Sequence, residues 1–223
     1  MTNDKSFQAM RDAMVDSQLR PSGVNDRDVI RAMASVPREE FVPEVRASVA
    51  YADRSVPLGN DRYLAPPVAL GRMLVVAEPQ RSDIALIVGA GTGYSAAVLA
   101  RLAGPVTALE SDAELAAIAR PRLEGGNFDD ASLIQLVEGD LTQGHPDGAP
   151  YDLILIDGAV ETVPDAIADQ LAEGGRLVCG IADKGLTRLA IARKRGGVVS
   201  PVAFEDSEVP VLPGFERAKA FRF

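Results

Sequence analysis

The chain has 223 residues, of which 47% are hydrophobic and 25% are charged, and its formal net charge at pH 7 is −9. These proportions are typical of a globular protein with one sizeable core. The acidic balance argues against a nucleic-acid or anionic-membrane surface, which needs clustered lysine and arginine. No run of about 18 apolar residues predicts a transmembrane helix. The N-terminus lacks the apolar core of a signal peptide, so we expect a cytoplasmic protein.

The sequence contains a single cysteine, Cys179, and a single histidine, His145. One cysteine excludes an internal disulfide, and its place in the apolar run GGRLVCGI predicts a buried thiol. So few thiol and imidazole groups leave little from which to build a zinc site or a Ser–His or Cys–His hydrolase. We therefore expect no metal site.

Residues 1–80 differ from the rest of the chain and predict a helical subdomain. Apolar residues recur at helical spacing in SFQAMRDAMVDSQL, in NDRDVIRAMASV and in VALGRMLVVAE, and EVRASVAY predicts a shorter helix. The first two helices are expected to end at Pro21 and Pro37. The segment ADRSVPLGNDRYLAPP is rich in proline and turn residues and predicts a long irregular loop, a kind of segment that is often functional.

Residues 81–223 predict a separate α/β domain, because strand-like and helix-like runs alternate along them. The strand-like runs are apolar on both faces, as in a covered parallel sheet. Such alternation predicts a doubly wound, Rossmann-like sheet that forms one compact unit with the N-terminal helices. Residues 195–223 predict two further strands around a loop, as an antiparallel closing pair. The strand-like runs are DIALIVGA, PVTALE, SLIQLVEGD, YDLILIDGA and GGRLVCGIA, and the helix-like runs are GYSAAVLARLA, DAELAAIARPRLE and TVPDAIADQLA.

The run LIVGAGTGYS, residues 86–95, joins the first of these strands to a helix. Backbone N–H groups and the helix N-terminus in such a turn face a ligand. A P-loop is excluded, because no Gly-Lys-Ser or Gly-Lys-Thr follows. The dinucleotide fingerprint G-x-G-x-x-G would need a glycine where Tyr94 stands. The tighter spacing of Gly89, Gly91 and Gly93 favours a ligand without a pyrophosphate, such as S-adenosylmethionine; the alternative is a turn that binds nothing.

Two acidic residues follow the next two predicted strands. Glu110 stands 21 residues after Gly89, where its carboxylate can accept hydrogen bonds from both ribose hydroxyls. Asp140 follows the third strand, where an acid can meet the adenine amino group. Because parallel strands end at the same edge of a sheet, the loop and both acids are expected to line one crevice. The predicted cofactor-binding residues are Gly89, Ala90, Gly91, Gly93, Tyr94, Glu110, Asp140 and Leu141.

Several stretches along the chain share a pattern with one enzyme family. They are MVDSQLRPSGVNDRDVIRAMASVPREEFVP, VPLG, VGAGTGYSAAVLA, YDLILIDGA with QLAEGGRLV, and VPVL near the end. In these stretches the sequence resembles the protein-L-isoaspartate O-methyltransferases over nearly its whole length. The N-terminal third carries more weight than the glycine loop, because it is specific to this family among methyltransferases.

The resemblance implies a class I methyltransferase fold and a repair function. The family uses S-adenosylmethionine to methylate the side-branch carboxylate of isoaspartyl residues in damaged peptides and proteins. It also implies an acceptor site formed by Leu64, Ala65, Val209 and Pro210. The acceptor carboxylate is already ionised near pH 7, so no general base is needed and the protein mainly orients the reactants. Orientation alone can contribute about 7–11 kcal/mol.

Three residues depart from the family pattern. Ala65 replaces a serine whose hydroxyl faces the methyl donor and acceptor, Ile87 replaces a glutamate, and Asp157 replaces a threonine after the fourth strand. An ionised Asp157 would repel an incoming carboxylate unless burial raises its pKa. We therefore expect Asp157 at the reaction centre and a weakened activity on isoaspartyl peptides.

The sequence is also compatible with two other functions. The first is methyl transfer to a hydroxyl or amine acceptor, with Asp157 as the general base. The second is a catalytically silent protein that keeps the scaffold to bind the cofactor. The sequence leaves the oligomeric state open.

Overall fold

The computed structural model describes residues 2–124 and 131–216. Residues 217–223, which fall in the predicted C-terminal strand pair, lie outside the described residues. The helices are α1 (Thr2–Met14), α2 (Arg27–Ser35), α3 (Pro67–Ala77), α4 (Tyr94–Leu99), α5 (Ala113–Glu124) and α6 (Asp165–Asp169). The strands are β1 (Val56–Gly59), β2 (Arg62–Leu64), β3 (Ala85–Val88), β4 (Val106–Glu110), β5 (Ile134–Glu138), β6 (Tyr151–Val160), β7 (Leu171–Asp183), β8 (Leu186–Arg193) and β9 (Val202–Ser207).

The N-terminal part is mainly helical, as the sequence predicts. α1 continues into a π-helical turn at Val15–Leu19, and the third predicted helix is a 3-10 turn at Glu44–Val49. α2 begins at a capping aspartate: the Asp26 carboxylate accepts the backbone N–H groups of Asp28 and Val29 at 2.9 and 3.0 Å.

The segment predicted to be irregular contains a β-hairpin. β1 and β2 pair antiparallel, and Asn60 and Asp61 between them have φ angles of 50° and 55°. Asparagine and aspartate adopt this left-handed conformation more readily than most residues. The prediction of a wholly irregular segment was therefore wrong. Strands of four and three residues, one of them with a proline, are too short to show a clear alternation.

The main sheet has seven strands in the order β5-β4-β3-β6-β7-β8-β9. The first five are parallel to one another, and β8 and β9 are antiparallel to their neighbours. Val88 at the end of β3 pairs with Leu109 on one side and Ile156 on the other. The α/β fold with a doubly wound sheet is thus confirmed, and the ends of β3, β4 and β6 lie side by side.

The closing strands differ in part from the prediction. β9 lies in residues 195–223 as expected, but its antiparallel partner is β8, which the sequence analysis did not predict. β8 mixes exposed and buried residues without a regular alternation, so its pattern is weak. α6 is also shorter than its predicted run, because the chain enters β7 at Leu171.

Alternate residues of the central strands enter two different buried clusters, one on each face of the sheet. On β3, Ala85 and Ile87 belong to the larger cluster, which includes the N-terminal helices, and Leu86 and Val88 belong to the smaller one. Cys179 is completely buried in the smaller cluster, and burial raises the pKa of its thiol to about 12. The predicted buried thiol is confirmed.

The helices and the potential metal-binding side chains of the described residues bear on other classes of protein. Within residues 2–124 and 131–216, every helix is too short or too polar to span a membrane. In the same part of the chain, no three His, Cys, Asp or Glu side chains are grouped so that they could hold a metal ion.

Arg176 on β7 connects the N-terminal helices to the sheet. Its guanidinium pairs with the carboxylate of Asp83, just before β3. It also donates to the carbonyls of Ala77 and Glu78 at the end of α3, at 2.9 and 3.1 Å, and to the carbonyl of Asp152 at 3.2 Å. One buried side chain therefore fixes the end of α3, the start of β3 and the start of β6 against β7.

Replacing Arg176 with alanine is expected to lower the free energy of unfolding by about 3–5 kcal/mol, because it leaves the buried Asp83 carboxylate without its cation. Urea unfolding of wild type and R176A measures this. Arg193→Ala is the matched control, because Arg193 makes only an exposed ion pair with Glu78 and should change stability by less than about 1 kcal/mol. Equal losses in the two variants would contradict the proposed role of Arg176.

Candidate active site

The glycine loop begins directly after β3 and is fixed against β4. The backbone N–H groups of Gly89 and Ala90 donate to the carbonyl of Leu109 at 2.9 and 3.0 Å. Gly89, Gly91 and Gly93 have φ angles of 83°, 57° and 99°, a region that favours glycine. Gly93 is the residue before α4, so the loop leads into the N-terminus of that helix. The loop is therefore a rigid cradle of backbone at the end of the central strand.

Glu110, the last residue of β4, holds this cradle in place. Its side chain is completely buried, and one carboxylate oxygen accepts the Gly91 N–H at 2.6 Å. The other oxygen accepts the N–H groups of Ser111 and Asp112 at 2.8 and 2.9 Å. The same oxygen also pairs with the guanidinium of Arg62 from β2. The predicted ribose-binding acid thus lies beside the glycine loop, but its acceptor positions are already in use.

Asp140 lies past the end of β5, the neighbour of β4. Its side chain accepts the backbone N–H and the hydroxyl of Thr142, each at 2.8 Å, and so caps a short turn. Asp140 is exposed, whereas Leu141 in the turn is buried. The loop, Glu110 and Asp140 therefore stand at the ends of three adjacent strands, as predicted. Their roles in cofactor binding stay predictions.

Tyr94 opens α4, but its ring points into the core. The ring meets Phe41 edge to face with centroids 5.6 Å apart, and the Arg38 guanidinium carbon lies 4.8 Å from its centroid. Burial raises the pKa of the phenol. Of the predicted cofactor residues, Tyr94 can therefore offer a ligand only its backbone.

The predicted acceptor residues lie mostly together. Ala65, Asp157, Val209 and Pro210 line one small cavity of about 10 Å³ between the β-hairpin, the end of β6 and the segment 209–212. Leu64 does not line this cavity and packs in the larger buried cluster. The predicted contact of Leu64 with an acceptor therefore has no support in this arrangement.

Asp157, in the carboxyl-terminal half of β6, is a buried acid with incomplete hydrogen bonding. It is 8% exposed, and its Oδ1 has no hydrogen-bond partner among the described residues. Burial raises the pKa of Asp157, while Ser95 and the guanidinium groups of Arg62 and Arg38 act in the opposite direction. The position of Asp157 beside Ala65 supports its predicted place at the reaction centre.

Two buried arginines near this cavity, Arg38 and Arg62, were not predicted from the sequence. Arg38 is completely buried and donates to the carbonyls of Ala50, at 2.6 Å, and Ala65. The signal for it was its place in the family-like stretch VPREEFV. Arg62 is 4% exposed, although it lies in a segment predicted to be an irregular loop. Nothing in the sequence distinguishes it from a solvated charge.

The residues at this crevice fit an adenosyl ligand by their chemistry. The glycines leave a cradle that a side chain would fill: a Cβ on Gly89 would lie 2.9 Å from Leu212 and 3.1 Å from Nη2 of Arg62. Glu110 at the adjacent strand end has the acceptor oxygens that ribose hydroxyls need. A ligand of this size requires a pocket of about 300–1,000 Å³. Arg62 and Leu212 must therefore move away from the cradle when the ligand binds.

Together the doubly wound sheet, the glycine loop and the acid at the next strand end define an S-adenosylmethionine-dependent, Rossmann-like methyltransferase. Residues 9–209 match the family model "Protein-L-isoaspartate(D-aspartate) O-methyltransferase (PCMT)". The chain belongs to this protein-L-isoaspartate O-methyltransferase family.

Individual relatives agree with this assignment. A protein-L-isoaspartate O-methyltransferase of Koribacter versatilis is 41% identical over 92% of each chain. One of Methanoregula boonei is 38% identical over 83% of this chain and 84% of its own length. A solved protein-L-isoaspartate O-methyltransferase superposes with a TM-score of 0.78 at 25% identity, over 92% of this chain and 66% of that chain. A Plasmodium falciparum structure of the same name, in complex with S-adenosyl-L-homocysteine, shares the fold with a TM-score of 0.73 at 19% identity, over 92% of this chain and 97% of that chain.

Replacing Glu110 with alanine is expected to weaken S-adenosylhomocysteine binding by about 1.5–3 kcal/mol, because charge-assisted hydrogen bonds to the ribose are lost. Isothermal titration calorimetry measures the change.

Glu138→Ala is the matched control for this experiment. Glu138 ends β5 in register with Glu110, but it is exposed and pairs with Arg120. Its removal should leave the affinity unchanged. If E110A binds as tightly as wild type, Glu110 does not contact the ribose.

Proposed function

We propose that this protein methylates the side-branch carboxylate of isoaspartyl residues in damaged proteins, the activity that names its family. The main support for the proposal is the adjacency of two sites at the places that the family pattern gives them, although the acceptor site departs from that pattern at Ala65 and Asp157. The glycine loop with Glu110 forms a cofactor cradle, and the cavity beside Ala65 and Val209 adjoins it through Leu212. S-adenosylmethionine supplies, when bound, a methyl group on a positively charged sulfur that is ready for transfer.

The chain's own part in this reaction is to hold and orient the reactants. The acceptor is a carboxylate that is ionised at neutral pH, so the protein does not have to remove a proton from it. The glycine loop is rigid because its backbone bonds to β4 and to Glu110. A fixed geometry of this kind can contribute about 7–11 kcal/mol to catalysis.

The residues that line the cavity beside Ala65, here called the acceptor wall, are also fixed to the sheet. The Ala159 N–H donates to the carbonyl of Pro210 and the Leu212 N–H donates to the carbonyl of Ala159, both at 2.8 Å. These bonds attach segment 209–212 to the end of β6 in the manner of a short extra strand. Leu212 lies over Gly89 and Gly158, so the segment that lines the acceptor cavity also borders the cofactor cradle.

The methyl ester is the starting point for repair. The carbonyl carbon of a methyl ester is more electrophilic than that of a carboxylate, and methoxide is a far better leaving group than oxide. The neighbouring backbone amide nitrogen can therefore attack this carbon, lose its proton and release methanol, which closes a succinimide ring. Ring opening then returns part of the material as normal aspartate. None of these later steps needs a further residue of this protein.

A second candidate function is methyl transfer to a neutral hydroxyl or amine. The observation in its favour is Asp157, a buried carboxylate with a raised pKa and a free acceptor oxygen at the acceptor wall. Such a group could accept the proton that a neutral acceptor must lose. One substitution at Asp157 therefore separates the two functions.

Asp157→Asn removes the charge and keeps the shape. If the acceptor is a carboxylate, wild-type activity should fall as the pH rises through the raised pKa of Asp157, because the ionised acid repels the acceptor. D157N should then be faster than wild type at high pH and show no fall in that range. Steady-state methyl transfer to an isoaspartyl peptide, measured across pH, tests this. Loss of this activity in D157N at every pH would contradict charge repulsion by Asp157. Methyl transfer to a hydroxyl or amine acceptor that D157N abolishes would instead favour Asp157 as a base.

Ala65→Ser should raise activity on a standard isoaspartyl peptide. A serine hydroxyl at this position can donate a hydrogen bond to the acceptor carboxylate, and a bond to a charged group is worth about 1.5–3 kcal/mol. The wild-type rate should accordingly be lower than that of A65S by roughly ten- to a hundredfold.

The test compares the turnover of wild type with that of A65S at matched peptide and cofactor concentrations. Ala69→Ser is a suitable control, because Ala69 lies in the first turn of α3 and is not among the residues that line the cavity. Rapid wild-type turnover that A65S does not improve would show that the hydroxyl is dispensable.

A further inference from the structure

Arg62 occupies an unusual place for a charged side chain. It is the first residue of β2 and is 4% exposed. Its Nη1 donates to Glu110, and its Nη2 lies close to the cradle at Gly89. Its Nε has no hydrogen-bond partner among the described residues. The guanidinium therefore reaches the cofactor cradle and keeps one donor unused.

The pairing of Arg62 with Glu110 competes with the ribose contact expected of Glu110. The other hydrogen bonds to the Glu110 carboxylate that are shorter than 3.0 Å come from the backbone N–H groups of Gly91, Ser111 and Asp112. These bonds belong to the loop and to the start of α5 and persist as long as both are folded. Arg62 is the partner that can leave by a side-chain rotation, so a bound ribose would release the guanidinium from Glu110.

Once it has left Glu110, the Arg62 guanidinium can contact an acceptor in the neighbouring cavity. Arg62 also lines the small cavity that contains Ala65 and Asp157, and it is the only cationic side chain among the described residues that line that cavity. Arg38, the other guanidinium that acts on Asp157, donates to the carbonyls of Ala50 and Ala65 and does not line the cavity. Arg62 is therefore the cation placed to contact an acceptor in this cavity.

We propose that Arg62 binds the carboxylate of the acceptor, after a bound cofactor has taken its place on Glu110. This inference rests on the proposed function, because it assumes an isoaspartyl acceptor. A carboxylate that enters beside Asp157 meets a like charge, and a guanidinium with five N–H donors can contact both acids at once. Arg62 thus replaces the attraction that Ala65 cannot provide, and it makes cofactor binding a precondition for tight acceptor binding.

The direct test uses Arg62→Gln and Arg62→Lys in the full chain. Methyl transfer from labelled S-adenosylmethionine to an isoaspartyl peptide gives KM and kcat, and calorimetry gives the Kd for S-adenosylhomocysteine. We expect R62Q to raise KM for the peptide by about ten- to a hundredfold, the loss typical of a charge-assisted bond. kcat should change much less. The Kd should stay equal or fall, because a competitor for Glu110 has been removed.

R62K keeps the charge but loses the planar fork of donors, so its KM should lie between those of wild type and R62Q. Arg31→Gln is the matched charge control, since Arg31 is exposed on α2 and pairs only with Asp28; it should behave as wild type. A wild-type KM in R62Q would overturn the proposal. A rise in Kd that accounts for the whole loss of activity would also overturn it, because Arg62 would then serve the cofactor.

A second measurement needs no variant and guards against misfolding of R62Q. The same peptide with a side-branch carboxamide in place of the carboxylate is tested as a competitive inhibitor of wild type. The proposal expects at least tenfold weaker binding of the carboxamide, and equal binding would contradict it. If wild type fails to methylate the isoaspartyl peptide, the proposed function fails and this inference with it. If only the Arg62 experiments fail, the proposed function stands.

Discussion

The carboxylate of Glu110 is the interaction on which the arrangement of the site depends. It joins the glycine loop, the start of α5 and the β-hairpin, which are far apart in the sequence. A buried carboxylate is costly unless it is paired and hydrogen-bonded, and Glu110 is both. A second contact also fixes the hairpin: the side-chain amide of Asn60 donates to the carboxylate of Asp112 at 2.8 Å. The N-terminal part of the chain is thereby attached at the edge of the sheet where the cofactor belongs.

The same pairing explains how a chain that departs from its family can keep the family's chemistry. Ala65 removes a hydroxyl and Asp157 adds a charge at the acceptor wall, and both changes disfavour an anionic acceptor. Arg62 lies within the same buried group of side chains and carries the opposite charge. The three residues are best understood as one altered set, in which an arginine replaces the attraction that a serine would give.

The sequence predicted the fold well where periodicity was strong, and it predicted which site residues lie close together where the strand order decides this. Most residues of β3, β4 and β6 are buried, and the parallel order of β3, β4 and β5 brings Gly89, Glu110 and Asp140 to one edge. β8 and the hairpin were missed because short or half-exposed strands lack a clear pattern. Arg62 was missed for a different reason. Its buried side chain pairs with the carboxylate of Glu110, which is 48 residues away in the sequence, and no local pattern predicts such a pairing.

A crystal structure of the complex with S-adenosylhomocysteine would show whether Glu110 binds the ribose or Arg62. We expect ribose hydroxyls within hydrogen-bond distance of Glu110, Leu212 displaced from Gly89, and the Arg62 guanidinium turned toward Asp157. A complex in which Arg62 remains on Glu110 while the ribose binds elsewhere would contradict this expectation.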